Sequence, residues 1–216
     1  MLENERIENE IRDLLERELK DVALDINVKC VNGHVTLYGI VDTLSEKLAV
    51  EELASRVEGV DSLENSITIS TYGTIEDKDT EENITTKLKG HPELSAIGAN
   101  VQRGTAILEG RVKTLKDKKQ AMKLASESLG VKEVVSHIEI DSAFKIDDTS
   151  INNRIQTELV NNKLDRNDIR VFVDNGSVRL TGYVNSLRDM EAAEEIAEGI
   201  ECVRNVKNFL KIRRNQ

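Results

Sequence analysis

Tryptophan is absent from this chain, proline occurs once, at Pro92, and cysteine twice, at Cys30 and Cys202. Phenylalanine and tyrosine add only three residues each. Any hydrophobic core must therefore be built from Ile, Leu, Val and Ala, without the large buried area an aromatic ring supplies. Two cysteines at unrelated positions exclude a disulfide framework. Cys30 falls in the alternation Ile26, Val28, Cys30, where an inward thiol behaves as a small hydrophobe. No stretch approaches the roughly 18 consecutive apolar residues that span a bilayer. The opening MLENERIENEIRDLLEREL has no apolar h-region, so the chain as it stands is expected in the cytoplasm, or in the periplasm if a signal has been removed.

Charge of one sign is also scarce where it matters. The net charge is −10. Positions 1–72 hold 16 acidic against 7 basic side chains. Nearly all of the imbalance lies there, and an anionic partner should avoid that part. The three histidines, His34, His91 and His137, lack metal-ligand spacing, so neither metal nor cofactor is expected.

What the chain does have is a repeat, the feature to settle first. The segment from Gly33 to Ile69 returns at Gly104 to Ile140 and again at Gly176 to Ile212. Each copy opens on two glycines six positions apart: Gly33 and Gly39, Gly104 and Gly110, Gly176 and Gly182. Leu37, Leu108 and Leu180 stand two before the second glycine, and Val41, Val112 and Val184 two after it. A helical stretch with an alanine follows (Ala54, Ala125, Ala197), then alternating aliphatics (Ile67/Ile69, Ile138/Ile140, Leu210/Ile212). A unit of about 70 residues buries only roughly 60% of its extended-chain surface, so neighbouring units are expected to touch.

Periodicity supplies the rest of the fold. Ile7, Ile11, Leu14, Leu15 and Leu19 have helical spacing, as do Ile84 and Leu88, and Ile151, Ile155 and Leu159. Thr149 and Ser150 are placed to cap the last of these helices. Asn32-Gly33 and Asn175-Gly176 lie between alternating runs, the signal of a β-hairpin whose glycine takes positive φ. Leu48, Leu53, Ala54 and Val57 are assigned to the buried face of the following helix in the first copy. The chain thus reads as α+β: three αββαβ units at 1–72, 76–142 and 147–214, each a three-stranded mixed sheet with two helices on one face.

The pattern G-x-V-x-L-x-G-x-V, an alanine-bearing helix, then G-V-x-x-V-x-N-x-I-x-I resembles the BON domain (bacterial OsmY and nodulation) family. It stands here as GHVTLYGIV…VEGVDSLENSITI. The third copy has Cys202 at the helix-ending glycine, and the second has Ala106 and Ser136 in the valine and asparagine places. The resemblance covers nearly the whole chain. It implies a non-enzymatic module of bacterial envelope proteins, often linked to osmotic stress, that binds phospholipid surfaces or other envelope components. One relative of the family is associated with potassium.

No enzyme is expected. The paired glycines form neither a phosphate loop nor a dinucleotide fingerprint, no serine sits in a nucleophile elbow, and Glu51-Glu52 and Glu194-Glu195 read as solvated helix faces. The one cationic cluster is Lys113, Lys116, Lys118, Lys119 and Lys123, at the start of the second helix of the middle unit. It is the candidate binding site for an anionic phospholipid surface, with Lys211, Arg213 and Arg214 as further candidates. Nucleic acid is not expected, given the net charge and no aromatics that read as exposed. Two other functions stay open: a soluble protein-interaction scaffold without lipid or ligand, and a small-ion (potassium) binding stress protein.

Overall fold

The computed structural model describes residues 3–70, 75–141, 146–164 and 168–213. Each repeat runs helix, strand, strand, helix, strand. The first comprises α1 (Glu3–Glu18), a short α2 (Lys20–Ala23), β1 (Ile26–Val31), β2 (His34–Val41), α3 (Leu44–Ser55) and β3 (Ser62–Ile69). The second comprises α4 (Asp77–Lys89), β4 (Gly98–Gln102), β5 (Thr105–Val112), α5 (Leu115–Ser126) and β6 (Glu133–Ile140). The third comprises α6 (Asp148–Asn161), β7 (Ile169–Asp174), β8 (Ser177–Val184), α7 (Leu187–Glu198) and β9 (Asn205–Ile212). Three mixed sheets follow, ordered β1-β2-β3, β4-β5-β6 and β7-β8-β9, with the helices on one face of each. In the first and third sheets the middle strand pairs antiparallel with the strand before it and parallel with the last. Pro92 opens a 3-10 turn, Pro92–Leu94, where its missing N–H is not needed.

By contact, the chain forms two compact units. One is Met1–Lys87, Ala99–Ile107 and Lys123–Val135; the other is Leu88–Gly98, Leu108–Met122 and Ser136–Gln216. The middle repeat contributes segments to each.

The two glycines of each frame recur for different reasons. Asn32 and Gly33 take φ of 51° and 76°, Arg103 and Gly104 of 53° and 79°, and Asn175 and Gly176 of 49° and 73°. All are hairpin turns whose twist matches the flanking strands. In the middle copy Arg103 takes the left-handed position without an asparagine, and a carboxylate holds the turn. The N–H groups of Arg103 and Gly104 donate to Asp77 at 2.6 and 3.0 Å, and those of Asn175 and Gly176 to Asp148 at 2.8 and 3.0 Å. The first residue of α4 and of α6 thus grips the hairpin. The second glycine is required by contact. A Cβ on Gly39, Gly110 or Gly182 would lie 2.1, 2.4 or 1.9 Å from the carbonyl oxygen of Asp25, Ala96 or Asp168.

The first core gathers Ile7, Ile11 and Leu15 of α1 with Val28, Val35, Leu37, Val50, Ala54 and Ile67. Leu48 is exposed, contrary to the sequence expectation, and Val50 is buried in its place. Residues two apart on an α-helix point about 160° away from each other, so the face that carries Val50, Ala54 and Val57 turns Leu48 outward. The third core repeats the plan with Ile151, Ile155, Leu159, Leu180, Ala193 and Ala197. In α4 the equivalent of Ile7 and Ile151 is Thr80, which explains the shortened apolar pattern there. Thr80 is buried, and its hydroxyl donates to the Leu129 carbonyl at 3.1 Å. The cap of α6 is neither Thr149 nor Ser150 but Asp147, whose carboxylate accepts from the Ser150 N–H at 2.8 Å. That backbone hydrogen bond, with the Ser150 hydroxyl, holds its carboxyl below the usual range. Cys202 keeps a positive φ of 66° where the other copies have Gly59 and Gly130, at 96° and 88°.

Candidate functional site

The five lysines of the middle repeat are not brought together as one free patch. Thr114 and Asp117 cap α5 reciprocally, at 3.0 and 3.2 Å, and fix where its first turn points. Lys118 lies against the sheet, donating to the Ile138 carbonyl at 2.8 Å. Lys47 makes the same bond to Ile67 in the first repeat, also at 2.8 Å, so this lysine serves the fold. Lys116 pairs with Glu195 at 2.7 Å, while Lys119 meets Glu198 and, at 3.9 Å, Glu194. Lys123 stands 3.9 Å from Glu127 along its own helix. Lys113 alone of the five is exposed with no ion pair or hydrogen bond among the described residues.

Beside those pairs, Leu115 packs against the third core. A shallow cleft of about 520 Å³, lined in part by Lys116, Glu158, Glu195 and Ile200, lies alongside. The first turn of α5 is therefore a clasp onto α7. Its centre is Glu198, whose side chain is only 9% exposed and whose partner Lys119 is 57% exposed. Removing the lysine leaves a carboxylate without its counter-charge in a site nearly closed to water. Lys119→Ala is expected to cost about 1–2 kcal/mol, below a fully buried pair because one partner is wet. Urea unfolding checks it; a Lys119→Ala/Glu198→Ala cycle with no coupling would refute the clasp.

The acidic pairs are only half solvated, correcting the sequence expectation. Asn65 donates to Glu51 at 2.8 Å and to the Lys47 carbonyl at 3.2 Å; Asn208 donates to Glu194 at 3.0 Å and to the Met190 carbonyl at 3.2 Å. The asparagine of the final strand is thus a tie between helix and sheet. The histidines sit in local contacts: His34 with Ser62 at 2.7 Å, His91 with Gln120 at 3.1 Å, and His137 3.8 Å from Glu109. A cleft of about 510 Å³ in the first repeat is lined by Asp21, Asp25, Asp42 and Glu46. Glu46 is committed to the N–H groups of Asp42 and Thr43, each at 3.0 Å. Among the described residues no three His, Cys, Asp or Glu side chains converge to hold a metal ion, and no helix is long and apolar enough to cross a membrane.

Contrary to the sequence expectation, the aromatics are at the surface. Every described one, Tyr38, Phe172, Tyr183 and Phe209, is exposed, and each stands on a sheet face turned away from the helices. Three share the third sheet. Its register places Phe172, Arg179 and Lys207 in one row, Arg170, Thr181 and Phe209 in the next, and Tyr183 beside Lys211 in a third. Arg170, Arg179, Lys207 and Lys211 are exposed and have no ion pair or hydrogen bond among the described residues. Among the described residues two carboxylates border this face: Asp174 at the hairpin end, where it accepts from the Asn175 side chain at 3.1 Å, and Asp168 just before β7 at the other end, paired with Arg213. The equivalent face of the first sheet carries one lysine, Lys29, in the same row as Glu64. On the middle sheet Arg111 is paired with Glu139 at 3.2 Å. The signal existed in the sequence as the period-two alternation of β7, β8 and β9; only the register shows that their outward residues form one basic, aromatic plane. Of the terminal cations, Lys211 belongs to it, Arg213 pairs with Asp168 at 2.5 Å, and Arg214 lies outside the described residues.

The BON domain family model matches the chain three times, over residues 3–71, 76–142 and 147–214. No curated protein matches it in sequence. Among solved structures, it is similar to the C-terminal domain of CdsD, a structural protein of the type III secretion system of Chlamydia trachomatis, at 18% identity and TM-score 0.28, over 95% of this chain and 96% of that one. It is also similar to the PrgH periplasmic domain, at 12% identity and TM-score 0.24, over 90% of this chain and 100% of that one. Neither likeness carries a functional inference.

Proposed function

The chain belongs to the BON domain family in three tandem copies, and we propose that it is a non-enzymatic binding protein of the cell envelope that docks peripherally on anionic phospholipid in an osmotic-stress setting. The observation that supports this reading is a division of labour within the repeat. The polar groups that recur, from Asp77 and Asp148 to Asn65 and Asn208, are occupied in holding turns and helices to sheets. What is left over is surface, and the cations of the third sheet, without partners among the described residues, lie outside the acidic first repeat. Such a surface suits association without chemistry, each lysine or arginine near an anionic membrane contributing roughly 1 kcal/mol that added salt removes.

Co-sedimentation with phosphatidylglycerol or cardiolipin vesicles tests it. The intact chain is expected in the pellet at low salt and in the supernatant at high salt. No pelleting at low salt would end the reading.

The alternative, a scaffold without lipid, has one observation in its favour: Leu115, Lys116 and Lys119 are spent on the third repeat. That clasp accounts for lysines that would otherwise face a membrane. It leaves the cations of the third sheet unexplained, and the lipid reading is preferred for that reason.

A further inference from the structure

We infer that the open face of the third sheet is the surface that docks on anionic phospholipid, an assignment that rests on the lipid-binding reading above and moves it from the middle helix to the third repeat. Three features of that face point the same way. First, it gathers four cations, Arg170, Arg179, Lys207 and Lys211, with Asp174 at its hairpin end and Asp168, already paired with Arg213, at the other, in a chain whose net charge is −10. Second, none of the four has a partner among the described residues, whereas Arg111 on the middle sheet and the lysines of α5 are largely engaged. Third, Phe172 and Phe209 are each 56% exposed and Tyr183 is 53% exposed. That is a cost in contact with water that nothing in the fold of the repeat requires.

The arrangement selects the occupant. Phe172 is on one edge strand, Phe209 on the other and Tyr183 near the end of the central one, so the rings stand at three corners with the cations between them. With strands about 4.8 Å apart, the face is roughly 10 Å wide and two to three times as long. Tyr183, apolar along its ring and polar at its tip, suits the headgroup level of a bilayer, Phe172 and Phe209 suit the acyl boundary beneath it, and the guanidinium and ammonium groups meet phosphates. A single-stranded nucleic acid would instead want a groove that tracks its backbone and a succession of stacked rings. On this face the rings stand on three different strands, not in succession along one. Anionic phospholipid is therefore the occupant.

The test uses the full chain and vesicles of phosphatidylglycerol in phosphatidylcholine, with pure phosphatidylcholine as the comparison and a single-stranded oligonucleotide as a second arm. Arg179→Gln/Lys207→Gln is expected to weaken binding to the anionic vesicles about 30-fold, at about five-fold per cation. Phe172→Ser/Phe209→Ser is expected to weaken it by a similar factor at every salt concentration at which the intact chain still binds. Lys113→Gln/Lys123→Gln and Tyr38→Ser are expected to change it less than about two-fold on the same scale. All these side chains are exposed, and an unchanged circular dichroism melt shows that each variant is folded. If the intact chain binds and the third-sheet variants bind as well as it does, the assignment is overturned while the lipid reading stands. If the intact chain does not bind anionic vesicles, the lipid reading falls and the assignment with it. Binding to the oligonucleotide alone, lost in the third-sheet variants, overturns the phospholipid and leaves the face with a different ligand.

Discussion

Truncating Leu180 to alanine lowers stability by about 2–5 kcal/mol, and Leu37→Ala and Leu108→Ala do the same in the other two repeats. All three leucines are 0% exposed. Leu180 stands on the central strand of its sheet, registered with Val171 on one side and Asn208 on the other, and points to the helices. Its neighbours in the core are Ile151, Ile155 and Leu159 from α6 and the alanines Ala193 and Ala197 from α7. The alanines let α7 approach closely, so little slack is available to fill the space a leucine leaves. The loss is then the transfer term plus most of the cavity term, rather than transfer alone. Thr181→Ala, on the opposite face of the same strand, is the control, expected within about 0.5 kcal/mol of the parent. Urea unfolding followed by circular dichroism measures both. A loss below about 1 kcal/mol at all three leucines, well under the range for core truncation, would mean that the two faces of the sheets have been exchanged.

The fold was open to sequence reading because it depends on patterns local in the chain and stated three times. Helix spacing in Ile7, Ile11 and Leu15, the Asn-Gly turn, and alternation in the strands each test within a dozen positions, and the repeat supplies the check. Thr80 shows the limit of that approach. A polar residue in a core slot breaks the apolar count, and only the Leu129 carbonyl opposite, far along the chain, makes it acceptable. The candidate site was less legible for the same reason. Lys113, Lys116, Lys118, Lys119 and Lys123 are close in sequence, but a helix sends side chains to all sides, and four of them find different partners there. The aromatic residues are the converse case. Phe172, Tyr183 and Phe209 are well apart in sequence and share a face only because the register of two strand pairs sets them side by side. What recurs locally could be read; what converges through long-range pairing could not.

The glycine frame gives the second large effect, and it separates two kinds of glycine that look alike in the sequence. Gly182→Ala is expected to cost about 2–6 kcal/mol, the sum of a positive-φ penalty and an overpacking penalty. The φ of 122° lies where side chains are rarely tolerated, and the added Cβ would come 1.9 Å from the Asp168 carbonyl oxygen. That oxygen cannot simply retreat. It accepts the Tyr183 N–H at 3.0 Å, and Ile169, the next residue, is the partner of Gly182 in the sheet. Moving it opens the start of β7. Gly33→Ala has a milder outcome, about 1–2 kcal/mol, chiefly the left-handed penalty. Its φ is 76°, the Asp61 oxygen 2.5 Å from the added Cβ ends a side chain that can swing aside, and the nearest backbone atom, the Gly59 carbonyl oxygen, is 3.1 Å away against 1.9 Å for that at Gly182. Gly39→Ala, with the Asp25 carbonyl 2.1 Å from the added carbon, should behave like Gly182→Ala and not like its near neighbour Gly33→Ala. Measured side by side by urea unfolding, the second glycine of the frame must prove the more costly; equal losses at Gly33 and Gly39 would mean that strand approach is not what holds that glycine in place.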